Sequence, residues 1–141
     1  MEGRNNNVSE QEWSTFEVSS SLIESLEANS FSHPTEVQAR SLVYLQSHVD
    51  MVIAARTGQG KTLCFGIPIL DLCIAKIEKF NEKMEDKGEE GKKYAFEGVA
   101  GLILSPTREL AIQIKDMIEA VIPVQYQEQV KVAALVGGMS I

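Results

Sequence analysis

Long hydrophobic runs are missing from this chain of 141 residues, and no segment reaches the ~18 uninterrupted apolar residues that a membrane span needs. The N-terminal stretch MEGRNNNVSE also lacks the apolar centre of a signal peptide, so a soluble, intracellular protein is expected. Cysteine is scarce. Cys64 and Cys73 are nine positions apart, which on one helix puts them on opposite faces and roughly 13 Å apart along the axis. A disulfide requires Cα atoms within about 7 Å, so ordinary buried or surface thiols are expected. With only His33 and His48 beside them, no metal-ligand spacing emerges. An excess of basic residues is missing too: 20 acids against 13 bases give a net charge of −7, which at first argues against a nucleic-acid partner. The acidity is uneven, however. Residues 1–36 carry seven acids against Arg4 alone, whereas residues 37–77 carry four bases against two acids.

What is present is a globular composition, 44% hydrophobic and 23% charged, in a length suited to one domain with a core of ordinary size. Residues 1–12 are polar and asparagine-rich, as expected of a flexible end. Leu22, Ile23 and Leu26 recur at helical spacing within 18–28, with Ser19 or Ser20 placed to cap the helix. Pro34 marks a turn, and a second helix is expected over 35–47. Residues 51–55 are short and apolar, as in a strand covered on both faces. A helix should start near Lys61, with Pro68 kinking or ending its first part. Residues 78–98 break the pattern with charge and three glycines, as in a solvated helix end followed by a surface loop. A strand over 101–105, a helix over 108–122 and a strand over 131–136 complete the chain. Strands alternating with helices predict an α/β fold with a parallel sheet flanked by helices.

The stretch AARTGQGKT, residues 54–62, joins the first expected strand to the third helix, which is the setting of a phosphate-binding loop. Such a loop converges main-chain N–H groups on phosphate oxygens, so Gly58 and Gly60 supply close approach and unusual dihedrals. The helix beginning at Lys61 adds its positive end. Lys61 is placed to bridge β- and γ-phosphates, and the Thr62 hydroxyl to ligate Mg²⁺. Ala55 stands where the general pattern has glycine. Upstream, the Gln38 amide offers a donor and an acceptor that match adenine's N6 and N7, favouring ATP over GTP if it reaches the base.

At these residues the chain resembles the DEAD-box RNA helicases. Phe31, Pro34, Thr35 and Gln38 look like that family's Q motif, and Ala55, Thr57, Gly58, Gly60, Lys61 and Thr62 like its phosphate loop, alanine included. The stretch from Pro106 to Ala111, PTRELA, is similar to its motif Ia, and Gly137 and Gly138 to its GG element, in the family's order. The resemblance covers residues 13–141 and implies the N-terminal portion of a RecA-like P-loop domain that binds ATP and Mg²⁺. The implied nucleotide site comprises Trp13, Phe31, Gln38, Ala55, Arg56, Thr57, Gly58, Gln59, Gly60, Lys61 and Thr62, with Lys61 and Thr62 in the catalytic roles. An aromatic residue at the position of Trp13 stacks on adenine in the family; the alternative is an anchor packing the N-terminal segment. Three departures stand out: Ser30 for the usual glycine, Glu36 for the usual proline, and Gln59 for the usual serine, its side chain expected to face solvent.

The resemblance also implies RNA binding through the sugar-phosphate backbone by Pro106, Thr107, Arg108, Gly137 and Gly138. Thr107 is placed to cap a helix whose N–H groups receive a phosphate, and Arg108 to add a charged contact. The plainer alternatives are an Arg108–Glu109 ion pair and an ordinary turn at Gly137; Lys115 and Lys131 are supplementary or merely solvated. The stretch LVGGMS and the charged insertion at 78–98 look similar to a nucleolar branch acting in large ribosomal subunit assembly. The family's Asp-Glu-Ala-Asp and Ser-Ala-Thr motifs are absent, as is its second RecA-like domain. The expectation is therefore an ATP-dependent RNA helicase represented by an N-terminal fragment, catalytically incomplete by itself. The alternative is a truncated, non-catalytic product that binds ATP or a partner.

Overall fold

The computed structural model describes residues 9–45, 49–85 and 98–138. The first eight residues, the end of the expected second helix and most of the charged insertion lie outside them. Four helices are described: α1 (Ser20–Ala28), α2 (Glu36–Leu45), α3 (Lys61–Glu85) and α4 (Arg108–Ala120), with 3₁₀ turns at Trp13–Thr15 and Val124–Tyr126. None is long and apolar enough to cross a membrane. The chain divides into two compact units, residues 1–68 and 69–141, and the division falls inside α3.

In the first unit, α1 buries Leu22 and Leu26, spaced one turn apart, each worth roughly 1.5–3 kcal/mol. Ser19 occupies the N-cap position, but its side chain makes no capping hydrogen bond, so the expected serine cap is not formed. The other end is well closed. The Phe31 N–H donates to the Leu26 carbonyl at 2.9 Å and the Ser30 N–H to the Glu27 carbonyl at 3.0 Å, the paired bonds of a Schellman motif. That motif requires a left-handed residue after the C-cap, and Ser30 has φ of 67°, the only positive value among the described non-glycine residues. Serine therefore occupies a conformation suited to the glycine it replaces. Trp13, 1% exposed, completes this corner by donating its Nε1–H to the Phe31 carbonyl at 2.6 Å.

α3 begins at Lys61 as expected, yet Pro68 does not end it. Proline removes the bond to the carbonyl four residues back, at Cys64, at about 3 kcal/mol or more in a helix interior. Apolar Leu70, Ile74 and Ile77, at helical spacing and buried, carry the helix onward to Glu85. The expected solvated helix end thus extends into the first part of the charged insertion. Burial raises the thiol pKa of both Cys64 and Cys73, which are free. In the second unit, α4 buries Ile114 and Ile118, and Val121, Ile122, Tyr126 and Val130 extend the core beyond it. The Tyr126 hydroxyl donates to Glu78 Oε1 at 2.6 Å.

The expected sheet is the main difference. Among the described residues no β-strand forms, only an isolated bridge residue at Thr35, and 51–55, 101–105 and 131–136 run without a ladder. Side chains nevertheless alternate along them. Val52 is 97% exposed between half-buried Met51 and Ile53, and Leu102 and Leu104 are 79% and 86% exposed on either side of half-buried Ile103. Period-two burial is the signature of a strand, but here only one face is covered. The apolar runs were expected to be buried on both.

Ser30→Gly should raise stability by about 1 kcal/mol, because glycine meets no Cβ clash at positive φ. The expected rise in thermal midpoint is roughly 4 °C by circular dichroism; an unchanged or lowered midpoint would contradict a strained Ser30.

Candidate functional site

The glycine-lysine loop sits in the first unit, built by α2 behind it and the start of α3 in front. Thr35 caps α2: its Oγ1 accepts from the Gln38 N–H at 3.4 Å, while Gln38 Oε1 accepts from the Thr35 N–H at 2.8 Å. This reciprocal pair is a capping box, legible in the sequence as Thr-x-x-Gln but not read that way there. The same two side chains also hold the loop. The Thr35 hydroxyl donates to the Gln59 carbonyl at 2.9 Å, and Gln38 Nε2 donates to the Gly60 carbonyl at 2.9 Å.

Because a trans peptide carries C=O and N–H on opposite sides, anchoring the carbonyls of Gln59 and Gly60 turns the N–H groups of Gly60 and Lys61 away from α2. Gly60 permits this approach. A Cβ there would lie 2.5 Å from Gln38 Nε2, and φ is +82°. Gly58 has the same φ with open space around it, so its backbone conformation alone favours glycine. Lys61 Nζ donates to the Ala55 carbonyl at 2.6 Å and to the Arg56 carbonyl at 2.9 Å. The Thr62 hydroxyl makes no hydrogen bond among the described residues, and Thr57 is exposed. A cleft of about 420 Å³ beside the loop is lined by Val49, Met51, Ile53, Phe65, Cys64, Asp50 and Lys61. Among the described residues that line it, Lys61 is the one cation and Asp50 the one anion.

Three side chains of this site are engaged within the chain. Gln38, 2% exposed, has both ends of its amide engaged by Thr35 and Gly60 and does not present them to a base; a buried amide takes the partners within reach. Trp13 offers neither ring face to a ligand in this arrangement and acts as the anchor of Phe31. Gln59 does not simply face solvent, since its Oε1 accepts from the Arg56 N–H at 3.0 Å. Thr35 was not among the expected site residues, although its hydroxyl fixes the loop.

In the second unit, Thr107 caps α4 by accepting from the Leu110 N–H at 3.2 Å, as expected. Arg108, the first residue of α4, lies against the glycine turn. Cβ atoms built on Gly137 and Gly138 would meet its Nη2 and Nη1 at 3.4 and 3.3 Å. Gly138 has φ of +86°. Among the described residues Arg108 makes no ion pair with Glu109, and Pro106, Arg108, Gly137 and Gly138 are all exposed. Lys115 is occupied otherwise. Its Nζ donates to Glu119 at 2.5 Å and lies 3.6 Å from Asp116, and the Glu119 hydrogen bond raises its pKa. Lys131 Nζ donates to the Gln127 carbonyl at 2.9 Å.

A family model described as DEAD/DEAH box helicase matches residues 35–141. The chain is 39% identical over 129 residues to DEAD-box ATP-dependent RNA helicase 13 of Arabidopsis thaliana, covering 90% of this chain and 15% of that protein. It is 31% identical over 152 residues to ATP-dependent RNA helicase ddx24 of Dictyostelium discoideum, covering 92% of this chain and 16% of the relative. Against ATP-dependent RNA helicase MAK5 of Saccharomyces cerevisiae it is 34% identical over 132 residues, covering 92% and 15%. The chain thus spans about one sixth of these relatives' length.

If Gln38 holds the loop from behind, Gln38→Met should destabilise the fold by about 2–4 kcal/mol, leaving the Thr35 N–H and the Gly60 carbonyl unpaired. Gln38→Glu should do no better, since it keeps the acceptor for Thr35 but sets a carboxylate against the Gly60 carbonyl. Thermal unfolding with amide exchange at Gly60 and Lys61 checks both. A glutamate variant as stable as the parent would mean that the bond to Gly60 is not made.

Proposed function

The chain belongs to the DEAD/DEAH box helicase family, and on that premise we propose that it supplies the nucleotide-binding portion of an ATP-dependent RNA helicase. Membership implies a RecA-like α/β fold; the finer proposal is that 51–55, 101–105 and 131–136 are its strands, supported by their alternating burial. The observation that carries the functional reading is the orientation of the loop. The carbonyls of Gln59 and Gly60 are tied to the Thr35 and Gln38 side chains, so the Gly60 and Lys61 amides and the α3 N-terminus face away from α2 with the Lys61 ammonium. That arrangement fits a triphosphate, an anion that amides, a helix N-terminus and a lysine all favour.

Gly58, Gly60, Lys61 and Thr62 hold the phosphates, with Ala55 and Arg56 holding Lys61 and with Thr57 and Gln59 completing the loop. The Thr62 hydroxyl would ligate Mg²⁺, which when bound neutralises phosphate charge. Gln38 reads adenine only by releasing the Thr35 N–H and the Gly60 carbonyl, so its standing role is to set the loop, and Trp13 with Phe31 positions the Q segment. Thr107, Arg108, Gly137 and Gly138, next to Pro106, form the RNA-backbone surface; contacts of this kind read phosphate geometry with little sequence preference. A ribosome-assembly setting in the nucleolus belongs to this proposal, supported by the likeness of LVGGMS and the charged insertion to that branch.

Calorimetry with MgATP should show uptake that Lys61→Ala weakens roughly 30-fold or more, in line with hydrogen bonds to charged groups; equal uptake by the variant would refute the phosphate loop. Arg108→Ala should weaken RNA binding and reduce the salt dependence by about one counterion. An unchanged salt slope would remove Arg108 from the RNA surface.

A further inference from the structure

Gln59 stands where the resemblance expects serine, and what it does follows from hydrogen bonds within the loop; the inference rests on the phosphate-loop reading above. Residues 56–59 form a turn closed by the Gln59 N–H donating to the Arg56 carbonyl at 3.4 Å. Gly58, its third residue, has the positive φ that a type II turn needs. Gln59 closes the turn a second time, because its Oε1 accepts from the Arg56 N–H at 3.0 Å. The device repeats the Thr35–Gln38 clasp, in which a glutamine three residues on reaches back to a main-chain N–H. A serine hydroxyl, one carbon from the backbone, lacks that reach.

The consequence falls on Lys61. Holding the Arg56 N–H fixes the plane of the peptide before it and so aims the Ala55 carbonyl the other way, and that carbonyl accepts from Lys61 Nζ at 2.6 Å. The Arg56 carbonyl, held by the Gln59 N–H, accepts from the same ammonium at 2.9 Å. An ammonium has three donors. Two are directed at carbonyls whose orientation Gln59 sets, and the third is left for an anion. We propose that Gln59 is a positioning residue for nucleotide binding, acting through the Ala55 and Arg56 carbonyls to aim the Lys61 ammonium at the β- and γ-phosphates.

Gln59→Met keeps the length of the side chain and removes the acceptor. In calorimetry on the whole chain it should raise the MgATP dissociation constant roughly 3- to 10-fold, the span of one hydrogen bond. AMP, whose single phosphate does not extend to Lys61, should bind the variant and the parent alike. In a Lys61→Ala background the same substitution should add no further loss for MgATP. Parental affinity in Gln59→Met, or an equal loss for AMP and MgATP, or an equal loss in both Lys61 backgrounds, would overturn the proposal. If the parent takes up no MgATP, or Lys61→Ala binds it as well as the parent, the phosphate-loop reading fails and this inference with it. That failure is recognised without any change at Gln59.

Discussion

A trans peptide carries its carbonyl and its N–H on opposite sides, so whatever grips one aims the other. At the glycine-lysine loop the grip comes from behind, where the Thr35 hydroxyl and the Gln38 amide hold two successive carbonyls. Without those bonds a glycine-rich loop has many conformations of similar energy, and its amides converge on nothing in particular. With them, the loop is arranged before any ligand arrives, and the entropy of ordering it falls on folding instead of on binding. The start of α3 and the Lys61 ammonium then act from a defined position.

That grip depends in turn on where α2 begins. The Schellman turn after α1 delivers Phe31, the Trp13 indole fastens its carbonyl, and buried Pro34 leads into the Thr35 cap. Ser30 is the weak member, a non-glycine residue at positive φ whose strain the surrounding bonds outweigh. A family departure that looks loosening in the sequence is therefore accommodated at a local energetic cost. The capping box at Thr35 and Gln38 serves helix and loop together, so substitutions there cannot separate stability from binding.

The remainder of the molecule is less constrained. The extended segments over 51–55, 101–105 and 131–136 show one half-buried face each, while Val52, Leu102, Leu104 and Leu135 leave theirs to solvent. Side chains so exposed contribute nothing to hydrophobic stabilisation, which grows with the apolar area removed from water. The apolar side chains removed from water include Leu22, Leu26 and Leu63 in the first unit and Ile74, Ile114 and Ile118 in the second.

Much was legible in the residues themselves. The four helices, the Thr107 cap and the placement of the glycine-lysine loop at the head of α3 follow from local signals: apolar spacing, a hydroxyl before a helix, glycine where φ is positive. At Pro68 the residues left a kink or an end open, and the helix continues through it to Glu85; a proline cannot report what its helix buries downstream. The expected sheet does not form among the described residues, and strand pairing is a property of neighbours that a short apolar run does not contain.

Residue types and their spacing determined, unaided, that this chain carries a phosphate-loop stretch in a helicase-like order of motifs, since that chemistry needs glycine, lysine and threonine at fixed separations. Only the tertiary structure decided where Trp13, Thr35 and Gln38 point. Their partners, Phe31, Gln59 and Gly60, lie 18, 24 and 22 positions away, and a contact over that distance exists only once the intervening chain has folded back.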